Sequence, residues 1–194
     1  MRGDHELGLA IASAADLGAA GTAARRAAKS LGFEHFLYGL RRVPASGVPE
    51  QWVLCGYPKA WRDRYDEQGY LLIDPVIARC IESVSPFGWD ELPRDTAQVR
   101  RMFDEAAAHG LLHGLTVPLH GFQGEFGMLC LARQTPLPQS AARTRLFQRA
   151  HWLTGLLQAR LRQWASDREA AEVPAASAAS PLPEPARIRA ESTT

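Results

Sequence analysis

The sequence predicts an α+β fold in which an antiparallel sheet carries helices on both faces. Three observations predict it. Segments of helical spacing alternate with short strand-like runs in the order α, β, β, α, α, α, β, β, α. The loops inside each β pair are short, which suits antiparallel pairing and leaves the helices to cover the sheet. The chain of 194 residues is long enough for one domain with a sizeable core and something extra.

The first helix spans residues 7–31, where Leu7, Ile11, Ala14, Leu17, Ala24 and Ala28 fall near helical spacing. Gly18 and Gly21 mark its weak point, where the chain is expected to break. Residues 33–40 have the aromatic, alternating look of a strand, and residues 51–56 form a short apolar one after a Pro-bounded turn. Pro58 suits a first helical turn, so residues 58–68 are expected to be helical. Asp74-Pro75 reads as a helix start, Asp as cap and Pro at the first position, with the helix running to about Val84 before Pro86. A further helix covers residues 95–109 and closes at Gly110. Residues 116–121 and 124–133 form a hairpin candidate, and residues 139–167 a long amphipathic helix. From residue 169 the chain is expected to be a disordered tail, because its Ala, Ser, Pro and Glu cannot bury enough apolar surface to fold. Residues 1–168 are the expected domain.

Composition excludes several function classes. A net charge of +1 gives no global attraction to nucleic acid or to an anionic membrane. No apolar run approaches the roughly 18 residues needed to span a bilayer. Cys55, Cys80 and Cys130 are odd in number, widely spaced and set in apolar stretches, which suits core residues in a reducing cytoplasm. His109 and His113 have a metal-like spacing, but glycines interrupt the helix there and no third ligand is in view. No nucleophile elbow, phosphate loop or dinucleotide fingerprint is present, and no catalytic, metal or cofactor site is expected.

The aromatic residues are unevenly placed. Tyr57, Trp61, Tyr65, Tyr70 and Trp89 crowd into a short stretch around Asp74, which sits between apolar triplets. Taken singly, Asp74 reads as a helix cap and Trp61, Tyr65 and Trp89 as core aromatics. Together, a carboxylate acceptor, an indole donor and two phenols suit an amide next to a carbonyl, with an apolar tail.

The pattern Tyr57-Pro58-x-x-Trp61-x-x-x-Tyr65, Tyr70, Asp74-Pro75-Val76 and Pro86-Phe87-x-Trp89 resembles the autoinducer-binding domain of LuxR-type quorum-sensing regulators. Phe103-x-x-Ala106, Gly110, the run from Gly114 to Gly121, and Gly124-Glu125-x-Gly127 extend the likeness, which is nearest to the LasR-like branch. The resemblance implies an α/β/α sandwich with a central antiparallel sheet of about five strands. It implies an N-acyl-L-homoserine lactone as ligand, with the long 3-oxo chain that this branch reads. Trp61 would then donate to the lactone carbonyl, Asp74 accept from the amide N–H, and Tyr57 donate to the amide carbonyl. Trp89 would pack on the lactone ring and Arg62 meet a 3-oxo group through water. Tyr65, Leu37, Gly39, Val53, Phe103 and Leu129 would line the acyl tunnel. Val76 and Cys130 stand where that branch often carries hydroxyl residues, and both losses remove donors near the amide.

The likeness also implies a homodimer, or a heterodimer with a LuxR-type regulator. Leu146, Leu153, Leu157 and Trp164 are the candidates for that contact, unless they face the sheet. Nothing after Trp164 reads as a helix-turn-helix, so no autonomous DNA binding is expected. The alternatives are a single-domain interaction module with a vestigial pocket, and an enzyme of lactone chemistry for which no metal cluster or activated nucleophile can be assembled.

Overall fold

The computed structural model describes residues 2–44 and 47–172. Five strands form one antiparallel sheet: β1 (His35–Arg42), β2 (Glu50–Cys55), β3 (Phe87–Gly88), β4 (His113–His120) and β5 (Phe126–Arg133), in the order β2-β1-β5-β4-β3. Three helices, α1 (Arg2–Ala12), α2 (Leu17–Ser30) and α6 (Ser140–Glu172), pack on one face. The other face carries α3 (Lys59–Glu67), α4 (Pro75–Glu82) and α5 (Ala97–Ala108), with 3-10 turns at Tyr70–Leu72 and Trp89–Glu91. The α/β/α arrangement is the one expected from the order of elements.

Strand alternation builds two separate cores. On β1, Phe36, Tyr38 and Leu40 point to the α1–α2–α6 side, while Leu37 and Gly39 point to the other. On β5, Leu129 and Leu131 join the first core, while Met128, Cys130 and Ala132 join the second. The first core is continuous and rich in the alanines of α2, which let that helix lie close to the sheet. The second gathers Trp61, Tyr70, Trp89, Met102 and Phe103.

Several boundaries differ from expectation. The first helical region is two helices, and the break falls between Ala12 and Leu17 rather than at Gly18 or Gly21. Asp16 decides this: its carboxylate accepts the Ala19 N–H at 2.7 Å and starts α2, which then runs through both glycines. Pro58 caps α3 with extended geometry (ψ 136°) instead of entering the first turn. β4 begins at His113, so Gly114 is a strand residue and not a helix breaker. Phe87-Gly88 forms a two-residue strand beside β4 where only a helix stop was expected. The last helix reaches Glu172, and residues 173–194 of the expected tail lie outside the described residues.

The stripe on α6 settles which way its leucines point. Leu146, Leu153, Leu157 and Leu161 are each at most 8% exposed and lie in the first core. Leu146, Leu153 and Leu157 are therefore sheet-facing and cannot meet a partner; their spacing of seven and four is that of the buried face. Trp164 is half-buried against the same core, and the exposed aromatic of α6 is Trp152, 42% accessible. Among the described residues, no helix is long and apolar enough to cross a membrane.

Candidate functional site

A cavity of about 260 Å³ lies between the sheet and the α3–α5 layer. Asp74 is positioned by the chain on both sides of it. Its Oδ1 accepts the Val76 N–H at 2.8 Å, which caps α4, and Pro75 takes the first helical position where its missing N–H costs nothing. Its Oδ2 accepts the Tyr65 hydroxyl at 2.9 Å. Burial pushes the Asp74 carboxyl above its ordinary value, and these two bonds pull in the opposite direction. Burial likewise pushes the Tyr57 and Tyr65 phenols far up, so both are neutral donors.

Trp61 is held by rings. It meets Tyr65 edge-on at 5.7 Å, stacks on Tyr70 at 6.0 Å and tilts against His109 at 5.8 Å. Its indole N–H has no acceptor among the described residues. Beneath this cluster Glu105 joins three elements. It accepts from Arg64 of α3 at 2.8 and 2.9 Å, from Tyr70 at 2.8 Å and from Arg101 of α5 at 2.8 Å. That hub fixes α3 against α5, and with them the height of Trp61 over the sheet.

Trp89 is set by β4. Its Nε1 donates to Thr116 Oγ1 at 2.9 Å, and the Thr116 hydroxyl donates onward to Cys130 Sγ at 3.4 Å. Gly114 gives the indole its place, because a Cβ there would sit 2.1 Å from the ring. Arg143 of α6 pairs with Asp90 and Glu91, tying the same turn to the opposite layer. Phe103 packs 6.5 Å from Trp89, with Arg94 over its ring at 4.2 Å. The Tyr57 hydroxyl also reaches Cys130, whose thiol burial pushes up to about 12. A thiol so far from ionisation is a wall and a weak donor, not a nucleophile.

The site thus offers one carboxylate acceptor, neutral phenol and indole donors, and an apolar floor. Residues 16–161 match the sequence family described as "Autoinducer binding domain". The chain belongs to that family of LuxR-type regulators. Similar relatives of this autoinducer-binding domain include the transcriptional activator protein VanR of Vibrio anguillarum, 40% identical over 53% of this chain and 42% of that protein. The transcriptional activator protein AnoR of Acinetobacter nosocomialis is 30% identical over 73% of this chain and 60% of that protein. The chain therefore spans about half the length of the curated relatives it matches. Among solved structures, CepR2 of Burkholderia cenocepacia, described as an N-acylhomoserine lactone dependent LuxR family transcription factor, superposes with a TM-score of 0.68 at 29% identity. The match covers 81% of this chain and 95% of that one. Escherichia coli SdiA has the same fold, with a TM-score of 0.69 at 19% identity over 86% of this chain and 69% of that one.

Within the autoinducer-binding domain, the cavity brings together Tyr57, Trp61, Arg62, Tyr65, Asp74, Val76, Trp89, Phe103, Leu37, Gly39, Val53 and Cys130. Leu129 is the exception. It points into the first core at 2% exposure, because its neighbours Met128 and Cys130 take the site face of β5. Met128 was therefore legible from the alternation once Cys130 was placed. Gln51 follows in the same way from Val53, two residues along β2. Asp66, Leu71, Ile77, Met102, Ala106 and Leu111 complete the lining, and only the packing of the helical layer on the sheet reveals them.

Proposed function

We propose that this domain senses an N-acyl-L-homoserine lactone. The observation that carries the reading is Asp74. Its carboxylate is fixed by Val76 and Tyr65 yet borders the cavity, within one pocket with the indole of Trp61, whose N–H has no acceptor among the described residues. In this reading Asp74 accepts the ligand amide N–H, Tyr57 donates to the amide carbonyl and Trp61 to the lactone carbonyl. Trp89 covers the lactone ring, and Arg62 faces the acyl chain near C3, where a 3-oxo group would be met through water. The description of CepR2 as lactone dependent supports the same ligand class.

The role is that of the sensing part of a quorum-sensing regulator that acts as a dimer, with a second copy or with another LuxR-type chain. The outer face of α6 is the proposed contact. Trp152 lies there across Gly8 of α1, and Leu9 beside it is 55% exposed. DNA contact is not assigned to this domain.

The test is the thermal midpoint with and without a panel of lactones, followed by recovery of the ligand. A ligand bound only by the native state adds about 2.7 kcal/mol at a hundred times its Kd. A chain-length-dependent rise with intact lactone recovered is the expected result. No shift with any lactone overturns the reading, and recovery of the opened acid overturns it in favour of an enzyme.

A further inference from the structure

The cavity runs across the sheet toward β2, with lining residues on β5, β1 and β2. Trp89, directly after β3, stands at one end. Cys130 and Met128 follow on β5, Leu37 and Gly39 on β1, and Val53 and Gln51 on β2. Met128 is paired with Gly39, and Gly39 with Val53, so these three form a row at right angles to the strands. At about 4.8 Å per strand the row spans roughly 10 Å. Its last member belongs to β2, the edge of the sheet.

Exposure rises along the same course. Cys130 is 4% exposed and Val53 43%. Gln51 is exposed as well. The cavity is thus closed at the Trp89 end and open at the β2 end.

Gly39 is the narrowest choice of residue on this row. Its backbone is not of the left-handed kind that calls for glycine, and it is paired on both sides. Glycine weakens a strand interior, so conformation does not account for it. Crowding does not account for it either: a Cβ at Gly39 would meet no atom within 4 Å and would stand in the open cavity.

We propose that Gly39 determines which acyl tails this domain accepts, and that the tail passes over it and leaves the protein at the β2 edge. The proposal rests on the lactone reading above. A tail on this course gains roughly fourfold in affinity per buried methylene. Methylenes beyond the edge lie in water and add little. Affinity therefore rises with chain length and then levels off, whereas a closed tunnel gives an optimum followed by a fall.

The experiment uses the full chain, its Gly39→Val and Gly39→Ala variants, and two ligand series. One is straight-chain N-acyl-L-homoserine lactones from butanoyl to tetradecanoyl; the other is 1-acylglycerols with the same tails. The expected wild-type response is a rise to a plateau. Gly39→Val is expected to keep the affinity for the shortest lactone and to lose about tenfold or more for the longest, with Gly39→Ala between. A wild-type affinity that falls at long tails overturns the open end. Variants that change all lengths alike, change none, or both fail to fold overturn the role of Gly39. If acylglycerols show the length pattern and no lactone binds, the tail course stands and the lactone reading falls. If neither series binds, both fall.

Discussion

Tyr65 of α3 donates to Asp74, the capping residue of α4, at 2.9 Å, so one helix steadies the first turn of the next. The same carboxylate caps α4 through Val76 and borders the cavity. Structure and the proposed recognition therefore share one side chain, and substitutions there are expected to have unequal effects.

Asp74→Ala is expected to lose lactone binding by far more than Tyr65→Phe. The first removes a charged acceptor, about 1.5–3 kcal/mol, and a helix cap, about 0.5–2 kcal/mol. Tyr65→Phe removes one donor and leaves the acceptor in place, about 0.5–1.5 kcal/mol. Calorimetric titration of both variants checks this; equal small losses would contradict the assigned pose.

Acidity should weaken binding through the same residue. Burial raises the Asp74 value in the folded protein above the ordinary 3.8. For a carboxyl shifted upward, the ionised form is the less stable one in the ligand-free fold, so this group's contribution is greatest below the unfolded value and is lost as pH rises through the folded one. Ligand binding has the opposite dependence, because the amide N–H needs the ionised acceptor. Lactone affinity is expected to fall on acidification through the raised folded value, and Asp74→Asn to remove most of that dependence while raising the ligand-free thermal midpoint at neutral pH. Affinity that stays level on acidification would place the amide elsewhere.

Thr116 and Trp89 should behave as one unit. Thr116→Val leaves the buried Trp89 N–H without its acceptor, a loss of about 1–3 kcal/mol. Trp89→Phe removes the donor as well as ring area. In a double-mutant cycle the pair is expected to fall short of the sum of the singles by about 0.5–3 kcal/mol. Strict additivity in denaturant unfolding would mean that the hydrogen bond contributes nothing.

Glu105 gives a stability signature on the acid side. Hydrogen bonds from Arg64, Arg101 and Tyr70 hold its carboxyl well below the ordinary 4.5. A downward shift contributes stability above the unfolded value and loses it as pH falls through the folded one. Glu105→Gln is expected to lower the thermal midpoint at neutral pH, with the gap to wild type closing as the solution is acidified below 4.5. A constant gap across that range would assign the effect to packing alone.

Much of this was legible in the chain because short-range chemistry dictates it. Asp74-Pro75 states its helix start through a cap and a ring that fixes φ, and the structure places both as read. The strands of β1 and β5 follow from alternation, although their facing does not follow from apolarity, since Leu129 and Cys130 are both apolar and lie on opposite faces. The break before α2 was misplaced because glycine is a weak signal inside an alanine-rich helix, whereas one carboxylate bonded to Ala19 decides the start. Gly114 is opaque to local reading for a different reason: its partner, the indole of Trp89, arrives from a distant segment. The leucines of α6 show the same limit, since an apolar stripe does not say whether it meets a sheet or a second molecule.

The sheet divides the domain into two halves of unequal completeness. The α1–α2–α6 side is filled by its own side chains, while the α3–α5 side is built around a hole. Local opening costs least where fewest apolar contacts are lost. Amide exchange should therefore be graded within one molecule, with α3 and α4 opening well before β1, β5 and α6. An occupant of the cavity slows the first group and leaves the second to the rate of global unfolding. Protease resistance gained with ligand would accordingly appear at the loops of one layer and not across the whole chain.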